Sequence, residues 1–238
     1  MDNRSRILHA ASELLEASPT GDIATRSVAE KAGVQQPVIY RIFGDKDSLL
    51  AAVVDHGFGA YVAAKRAAES TDDPVADLVR GWDRHTSFAL EHPNLYRLMA
   101  APGLASPPKA LGDMHELLLA VLERVAREGR LAFAPERAAG IVMSANAGVA
   151  LTLLTRPETP GDGELSARVR DIVLTGILTP GPDGAPPAGP PATTRAATAQ
   201  AATTLAALLR ADPAESFTRA EQDLMAEWLT RLAADATP

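Results

Sequence analysis

The side chains whose types and spacing could do chemistry lie between residues 25 and 46, in the stretch TRSVAEKAGVQQPVIYRIFGDK. Glutamine can pair through two hydrogen bonds with adenine, and valine can contact the thymine methyl group, so Gln35, Gln36 and Val38 predict contact with an A/T-containing half-site. Tyrosine, arginine and lysine side chains suit phosphate oxygens. The stretch therefore predicts a DNA interface, with these candidate residues: Thr25, Arg26, Gln35, Gln36, Pro37, Val38, Tyr40, Arg41 and Lys46.

Two short helices joined by a tight turn must position these side chains. Gly33 can adopt the left-handed conformation that ends a helix, and the apolar Val34 can be buried under the corner. Thr25 is predicted to cap the first helix and Gln35 the second, in which Pro37 falls in the first turn, where no amide hydrogen bond is lost. Ile39 and Phe43 are predicted to face the core. This spacing is typical of a helix-turn-helix, and the alternative is a purely structural helical hairpin.

The stretch from Arg6 to Val54 resembles the N-terminal domain of the TetR (tetracycline-repressor) family of transcriptional regulators. The landmarks that match are Thr25, Val28-Ala29, Ala32-Gly33-Val34, Ile39-Tyr40, Phe43, Lys46 and Leu49-Leu50. The resemblance implies that Tyr40 and Lys46 contact DNA phosphates. The chain departs from the family pattern at Gln35, where Ser is frequent, and at Ile42, where His is frequent. The segment HPNLYRLM, residues 92–99, also resembles the ligand-domain pattern of many members.

Composition limits the alternatives. The net charge is −7, and residues 1–50 hold six Lys/Arg against seven Asp/Glu, so bulk charge does not favour nucleic acid and the cations must be well placed. The absence of cysteine excludes disulfides and thiolate chemistry. The charged N-terminus does not fit a signal peptide, and we expect that no later run approaches a membrane span, which predicts a cytoplasmic protein without membrane contact.

Apolar residues recur at three- and four-residue spacing along nearly the whole chain, which predicts an all-α fold. We expect an N-terminal three-helix helix-turn-helix domain over residues 1–48 and a helical ligand-binding and dimerisation bundle over residues 49–178. The segment 179–193 is rich in proline and glycine and predicts a linker, and residues 194–238 predict two accessory helices, the second opened by a capping box at Thr218 and Glu221. These two helices could dock on the bundle, extend a dimer interface or move independently.

The helical bundle also carries candidate binding surfaces. Trp82, His85, Phe88 and Asn146 could line a ligand cavity, although apolar side chains at this spacing are usually core. A homodimer interface is predicted through about residues 135–178, with internal packing as the alternative. It would use the small residues of the eighth helix and the apolar stripe of the ninth: Ala138, Ala139, Gly140, Ser144, Ala145, Ala147, Gly148 and Ala150, with Val169, Ile172, Val173 and Ile177.

No chemistry beyond binding is indicated. The five histidines lack the spacing of a zinc-binding helix, and no phosphate loop or catalytic triad is recognisable, so we predict no metal, no cofactor and no enzymatic activity. The predicted function is that of a homodimeric repressor that binds a roughly palindromic DNA operator and is released by an unidentified small-molecule effector. Two alternatives remain open: a DNA-binding activator without a small ligand, and a helical carrier or enzyme with a structural helix-turn-helix.

Overall fold

The computed structural model describes residues 2–67, 70–100, 108–156, 162–179, 194–213 and 216–234. In this part of the chain the only extended pairing is an isolated bridge between Leu131 and Leu178, so the predicted all-α fold is confirmed. The predicted linker lies outside the described residues except for Thr179. The helices are α1 (Asn3–Glu16), α2 (Thr25–Ala32), α3 (Gln36–Phe43), α4 (Lys46–Ala67), α5 (Pro74–Glu91), α6 (Pro93–Ala100), α7 (Lys109–Arg127), α8 (Pro135–Thr155), α9 (Asp162–Ile177), α10 (Thr194–Ala211) and α11 (Arg219–Ala234).

Several helices begin where a polar side chain can satisfy the unpaired amides of the first turn. Asp2, Asp45 and Asp73 each accept a backbone N–H from their helix at 2.7–3.0 Å. At α11 the predicted capping box is confirmed, because Thr218 N donates to Glu221 Oε2 at 2.8 Å and Glu221 N donates back to Thr218 Oγ1 at 3.4 Å. Helix α1 begins at Asn3 because Asp2 supplies its cap.

Backbone contacts divide the chain into two compact units. The first comprises Met1–Glu69, Arg84–Leu117 and Ala150–Thr159, and the second comprises Ser70–Asp83, Leu118–Val149 and Pro160–Pro238. The first unit therefore holds α1–α4 and α6 with parts of α5, α7 and α8. These units do not follow the division predicted at residues 48, 178 and 193, which stays a prediction.

The core of the first unit joins the three N-terminal helices to α4 and α6. Its fully buried side chains include Ile7 and Leu15 of α1, Val28 of α2, Ile39 of α3 and Phe58 of α4. Burial of a side chain of this size contributes about 1.5–3 kcal/mol, so helices of only eight residues can be held by packing rather than by intrinsic propensity. Helices α1–α3, which we call the reading head, thus share one apolar core with α4.

In the second unit, α10 packs on the end of α7. Gln200 donates to the carbonyl oxygen of Gly129 at 2.7 Å, and Arg210 lies 3.1 Å from Glu123. Of the three arrangements considered for the tail, docking on the bundle is the one observed for α10. On α11 only Leu229 is buried, whereas the apolar side chains of Leu224 and Trp228 are exposed.

Helix α8 is long and apolar enough to cross a membrane, judged by length and composition alone. The expectation that no run approaches a membrane span is therefore wrong. The helix passes the test because it is made largely of alanine, valine, leucine and isoleucine, and 33% of its most apolar window is buried within the protein. Buried helices of water-soluble proteins meet the same criterion, so the observation is weak evidence for a membrane.

Candidate functional site

The turn between α2 and α3 is fixed by its glycine and by a side chain from α1. Gly33 has φ 64° and ψ 39°, the left-handed conformation predicted for it, and Val34 N donates to Ala29 O at 3.0 Å. Arg6 Nη2 donates to the carbonyl oxygen of Ala32 at 2.6 Å and lies 3.4 Å from that of Gly33. The guanidinium thereby satisfies the end of α2, where the helix dipole is negative. Val34 is half-buried against the core, in line with the predicted corner.

Thr25 connects α2 to α3 rather than capping α2. It is the first residue of α2, the N-cap position is occupied by Ala24, and no side chain makes a capping bond there. The prediction of Thr25 as a cap is therefore wrong. Its hydroxyl, on a largely buried residue, instead accepts from Gln36 Nε2 at 3.0 Å and lies 3.3 Å from the Tyr40 hydroxyl. Thr25 thus holds two of the candidate DNA-binding side chains in place.

Gln35 stands at the predicted position but does not cap with its side chain. It is the N-cap residue of α3, with extended backbone, and it makes no side-chain capping bond. Among the first amides of α3, Pro37 has no N–H and Val38 N donates to Gln35 O at 2.9 Å, so only the Gln36 N–H is left to meet an anion. The Gln35 side chain is exposed, as a base-reading residue must be.

Lys46 pairs with an acidic residue that sequence reasoning missed. Its Nζ lies 3.0 Å from Asp22 Oδ1, and Ile23 N donates to the same oxygen at 2.8 Å. The hydrogen bond and charge of Lys46, followed by the Ile23 amide, lower the pKa of the Asp22 carboxyl below its ordinary value. A phosphate that approaches Lys46 must compete with this carboxylate. No local pattern marks the pair, because 24 residues separate its members.

The other candidate DNA-binding residues differ in exposure. Pro37 and Arg41 are exposed, and Arg26 is exposed and paired with Glu30 at 3.0 Å. Val38 is half-buried and packs against the core, so only part of its side chain is available to a base. Tyr40 is 42% exposed, which leaves its ring accessible while its hydroxyl is held by Thr25. Ile39 is fully buried and Phe43 is half-buried, as predicted.

The four candidate ligand-binding residues fall into the two compact units. In the first unit, the Phe88 ring lies 4.6 Å from that of Tyr61, and His85 Nε2 is 2.8 Å from the Tyr96 hydroxyl. In the second unit, Asn146 Nδ2 donates to the carbonyl oxygen of Trp82 at 3.3 Å, and Asn146 Oδ1 is buried without a hydrogen-bond partner. The indole of Trp82 donates to Ser166 Oγ at 3.0 Å.

A groove of about 500 Å³ beside α4 and α7 was not predicted. Its polar side chains are already paired, since Asp113 accepts from Lys109 at 2.6 Å and from Arg66 at 2.8 Å. The lining residues are Asp55, Gly59, Val62, Ala63, Arg66, Ala67, Lys109, Ala110 and Asp113. Within the described residues no group of His, Asp and Glu side chains is placed to hold a metal ion.

The predicted dimer surface is partly internal and partly open. Ala138, Ala139, Ala150 and Ile177 are at most 1% exposed because they pack inside the chain, so their assignment to a dimer interface is wrong. Ile172, in contrast, is 72% exposed. A side chain built on Gly140 would meet nothing within 4 Å, so this face of α8 is open to a close neighbour.

An exposed helix α3, a fixed turn before it and a lysine at the start of α4 define a helix-turn-helix transcription regulator. Residues 7–53 match the bacterial regulatory proteins of the tetR family. The N-terminal segment is therefore a DNA-binding domain like that of the TetR family of transcriptional regulators, as the sequence predicted.

Individual relatives differ in how far they resemble the chain. The nucleoid occlusion factor SlmA of Marinomonas sp. (strain MWYL1) is 25% identical over 150 residues, which are 61% of this chain and 76% of SlmA. The regulator BetI of Pseudomonas aeruginosa (strain LESB58) is 36% identical over 78 residues, 32% of this chain and only 40% of BetI.

Solved structures extend the likeness beyond the N-terminal head. A Rhodococcus sp. RHA1 protein of unknown function superposes with a TM-score of 0.62 and 25% identity over 75% of this chain and 97% of its own. The fatty acid degradation regulator FadR of Bacillus halodurans has a TM-score of 0.57 at 19% identity, covering 72% of this chain and 98% of FadR. The FadR likeness shows a shared fold.

Proposed function

We propose that the chain acts in the cytoplasm as a homodimeric repressor, in which two copies of α3 read the half-sites of a roughly palindromic operator and a small effector releases the DNA. The observation that carries the DNA-binding part is the arrangement of Thr25, Gln36 and Tyr40. A side chain that must read a base is useful only if its rotamer is fixed before binding, since ordering it costs free energy. The Thr25 hydroxyl supplies that restraint to both partners.

Within this arrangement the side chains have different roles. Gln35 and the exposed edge of Val38 contact bases. Gln36 also contacts a base, while its hydrogen bond to Thr25 holds its side chain in place. Tyr40, Arg41 and Lys46 bind phosphate, Arg26 adds a cation beside them, and Pro37 shapes the first turn of α3. Because the first fifty residues have no net positive charge, the affinity of one head is expected to be low, and two heads held together supply the rest.

The open surface of α8 and α9 supports the proposed homodimer. A two-fold interface needs a self-complementary patch, and small residues allow close helix approach. Gly140 and the 72% exposed Ile172 provide such a patch on the second unit. Release by an effector is explained by thermodynamic linkage. A ligand that binds more tightly to the conformer whose two heads do not match the half-site spacing lowers the operator affinity, by as much as its affinities for the two conformers differ.

The test begins with selection of DNA from a random pool by the full-length chain. We expect enrichment of a palindrome whose half-sites contain A/T pairs. The Tyr40→Ala, Lys46→Ala double variant should lose this operator while it keeps its helical circular dichroism. Failure of the wild type to enrich any sequence would instead favour a helical carrier or enzyme with a structural helix-turn-helix, and an operator-bound chain that no small molecule releases would favour an activator without a ligand.

Charge variants make the test sharper. Lys46→Ala should weaken operator binding roughly tenfold, about 1.4 kcal/mol, and reduce the slope of log K against log salt by about 1. Asp22→Asn should strengthen binding roughly two- to fivefold, because an exposed ion pair is worth up to about 1 kcal/mol and phosphate no longer competes with it. Lys109→Ala is the matched control, since Lys109 is likewise paired with an aspartate but lies outside the head. A control variant that changes affinity as much as Lys46→Ala would refute the assigned role.

A further inference from the structure

A cluster of aromatic and basic side chains lies in the first unit, where α4, α5 and α6 contribute to it. The ring of Tyr61 lies 4.6 Å from Phe88 and 6.3 Å from His85, and His85 Nε2 is 2.8 Å from the Tyr96 hydroxyl. Lys65 Nζ lies over the Tyr61 ring, 5.4 Å from its centroid. We call these five residues the aromatic–lysine cluster. It has an apolar interior and a cation at one end.

The cation in this cluster has no described carboxylate within ion-pair distance. Two other basic residues of the first unit, Arg66 and Lys109, share Asp113 as an ion-pair partner. Lys65 instead faces a ring and the repulsion of Arg84. Burial, followed by that repulsion, lowers the pKa of Lys65 to about 8. The same neighbourhood, first by burial and then by the charge of Lys65, lowers the pKa of His85 to about 4. An anion is the group that this environment lacks.

A second and independent observation concerns the Tyr61 hydroxyl, which is buried and makes no hydrogen bond within the described residues. A buried hydroxyl without a partner costs about 1–3 kcal/mol, so such groups usually have a function or a missing partner. A phenol O–H donates most strongly to a charged acceptor. Lys65 and Tyr61 are one turn apart on α4 and both supply donors, and neither offers a negative charge.

We propose that the aromatic–lysine cluster is the anion-binding end of the effector site, and that the effector is a small organic acid with an apolar body. Its carboxylate accepts from the Lys65 ammonium and the Tyr61 hydroxyl, and its apolar part lies against Phe88. Burial alone would disfavour a charged lysine, and pairing with a carboxylate restores the charged form. This assignment rests on the proposed release by an effector, and it names the chemical class of that effector.

Matched acids and amides test the assignment. Benzoate and octanoate are compared with benzamide and octanamide by calorimetry and thermal shift on the full-length protein. We expect the acids to bind and the uncharged amides to bind at least tenfold more weakly. Lys65→Met, which keeps the chain length without the charge, should abolish this preference, and Tyr61→Phe should weaken the acids several-fold. Lys109→Met is the control and should leave acid binding unchanged.

A direct readout of the lysine separates ligand pairing from a structural role. The chain has four lysines, Lys31, Lys46, Lys65 and Lys109, so ¹³C-dimethyl-lysine NMR can resolve each one. Saturating octanoate should move the Lys65 resonance and raise its pKa, while the other three titrate as before. Equal binding of acids and amides, unchanged binding by Lys65→Met, or no binding of either acid at millimolar concentration would overturn the assignment.

Operator release is measured separately, so that the two proposals can fail independently. Acids that bind through Lys65 without releasing operator DNA would support the anion site and refute its role in release. Release by an uncharged compound that is retained in Lys65→Met would uphold the effector-released repressor and overturn the acid class.

Discussion

Replacement of Gly33 by alanine should destabilise the reading head through two effects that can be separated. The first is conformational, because φ 64° is a region that side chains other than glycine rarely adopt. The second is a contact, because the new β-carbon would lie 2.9 Å from Arg6 Nη2 and displace the guanidinium from the end of α2. Arg6 would then lose its 2.6 Å hydrogen bond to Ala32 O.

The magnitudes follow from these two effects. The left-handed conformation costs an alanine about 1–2 kcal/mol, and a partly buried hydrogen bond from a charged donor is worth about 1.5 kcal/mol. Gly33→Ala should therefore cost about 3 kcal/mol and Arg6→Ala about 1.5 kcal/mol. The double variant should cost no more than Gly33→Ala alone, because the displaced bond is already lost. The expected coupling energy is the whole cost of Arg6→Ala.

The assay must report on the head alone. Tryptophan fluorescence cannot do this, because neither tryptophan lies in the head. Hydrogen exchange of the buried Val28 and Ile39 amides under native conditions gives the local opening free energy. Gly59→Ala on α4 is the control: its β-carbon meets nothing within 4 Å, so the change should stabilise α4 by about 0.5–1 kcal/mol. Additive costs in the Arg6, Gly33 double variant would refute the account of the contact, and an unchanged opening energy in Gly33→Ala would refute both effects.

Two further predictions concern the rest of the chain. Burial lowers the pKa of His85 to about 4 from 6.5, so the unfolded chain binds the proton first; stability should be complete above pH 6.5 and fall by about 3 kcal/mol as the pH drops to 4. Urea unfolding across this range should show the fall of the unfolding free energy with pH, and His85→Gln should reduce it. Equal pH dependence in the two proteins would contradict the role given to His85. Ile172→Glu should raise the dimer dissociation constant at least tenfold in sedimentation equilibrium, because an unpaired charge would be buried at the α8–α9 surface. Leu90→Glu, at a residue 48% exposed on α5, should not; a dimer that tolerates Ile172→Glu would require another interface.

The helices were predictable because their signals are local. Asp45, the Asp73-Pro74 pair and the Thr218–Glu221 box act within a turn of the helix that they begin, so the sequence contains all the partners. Gly33 is local in the same sense. Thr25 was misassigned because its hydroxyl has two possible sets of partners, the amides of its own helix and the side chains of α3. Only the packing of α2 against α3 decides between them.

The electrostatics of the site were not predictable for the same physical reason. Arg6 acts on a turn 26 residues away, and Lys46 pairs with an aspartate 24 residues before it. Trp82, His85 and Phe88 were candidates to line one ligand cavity, yet Trp82 bonds within the second unit and His85 within the first. Lys65 has no pattern of its own that marks it as unpaired, since that property depends on which acids the fold brings near.

Three consecutive residues of α6 connect the aromatic–lysine cluster to the reading head within the first unit. Asn94 donates to the carbonyl oxygens of Leu15 and Ser18, at 2.9 and 2.7 Å, where α1 ends. Leu95 lies so close to α4 that a β-carbon on Gly57 would be 2.5 Å from it. Tyr96 bonds His85 in the cluster.

Because these residues lie on one rigid turn of helix, Tyr96 cannot shift without moving contacts on both α1 and α4. Lys46 and Lys65 lie on the same helix, about 28 Å apart at 1.5 Å per residue, so a tilt of α4 about Leu95 moves both ends. A ligand that acts on the cluster therefore reaches the phosphate-binding end of α4 without any change in the structure of α2 or α3. Under the proposed release by an effector, a head with a fixed turn and restrained side chains would therefore respond by a change of position while it keeps its shape.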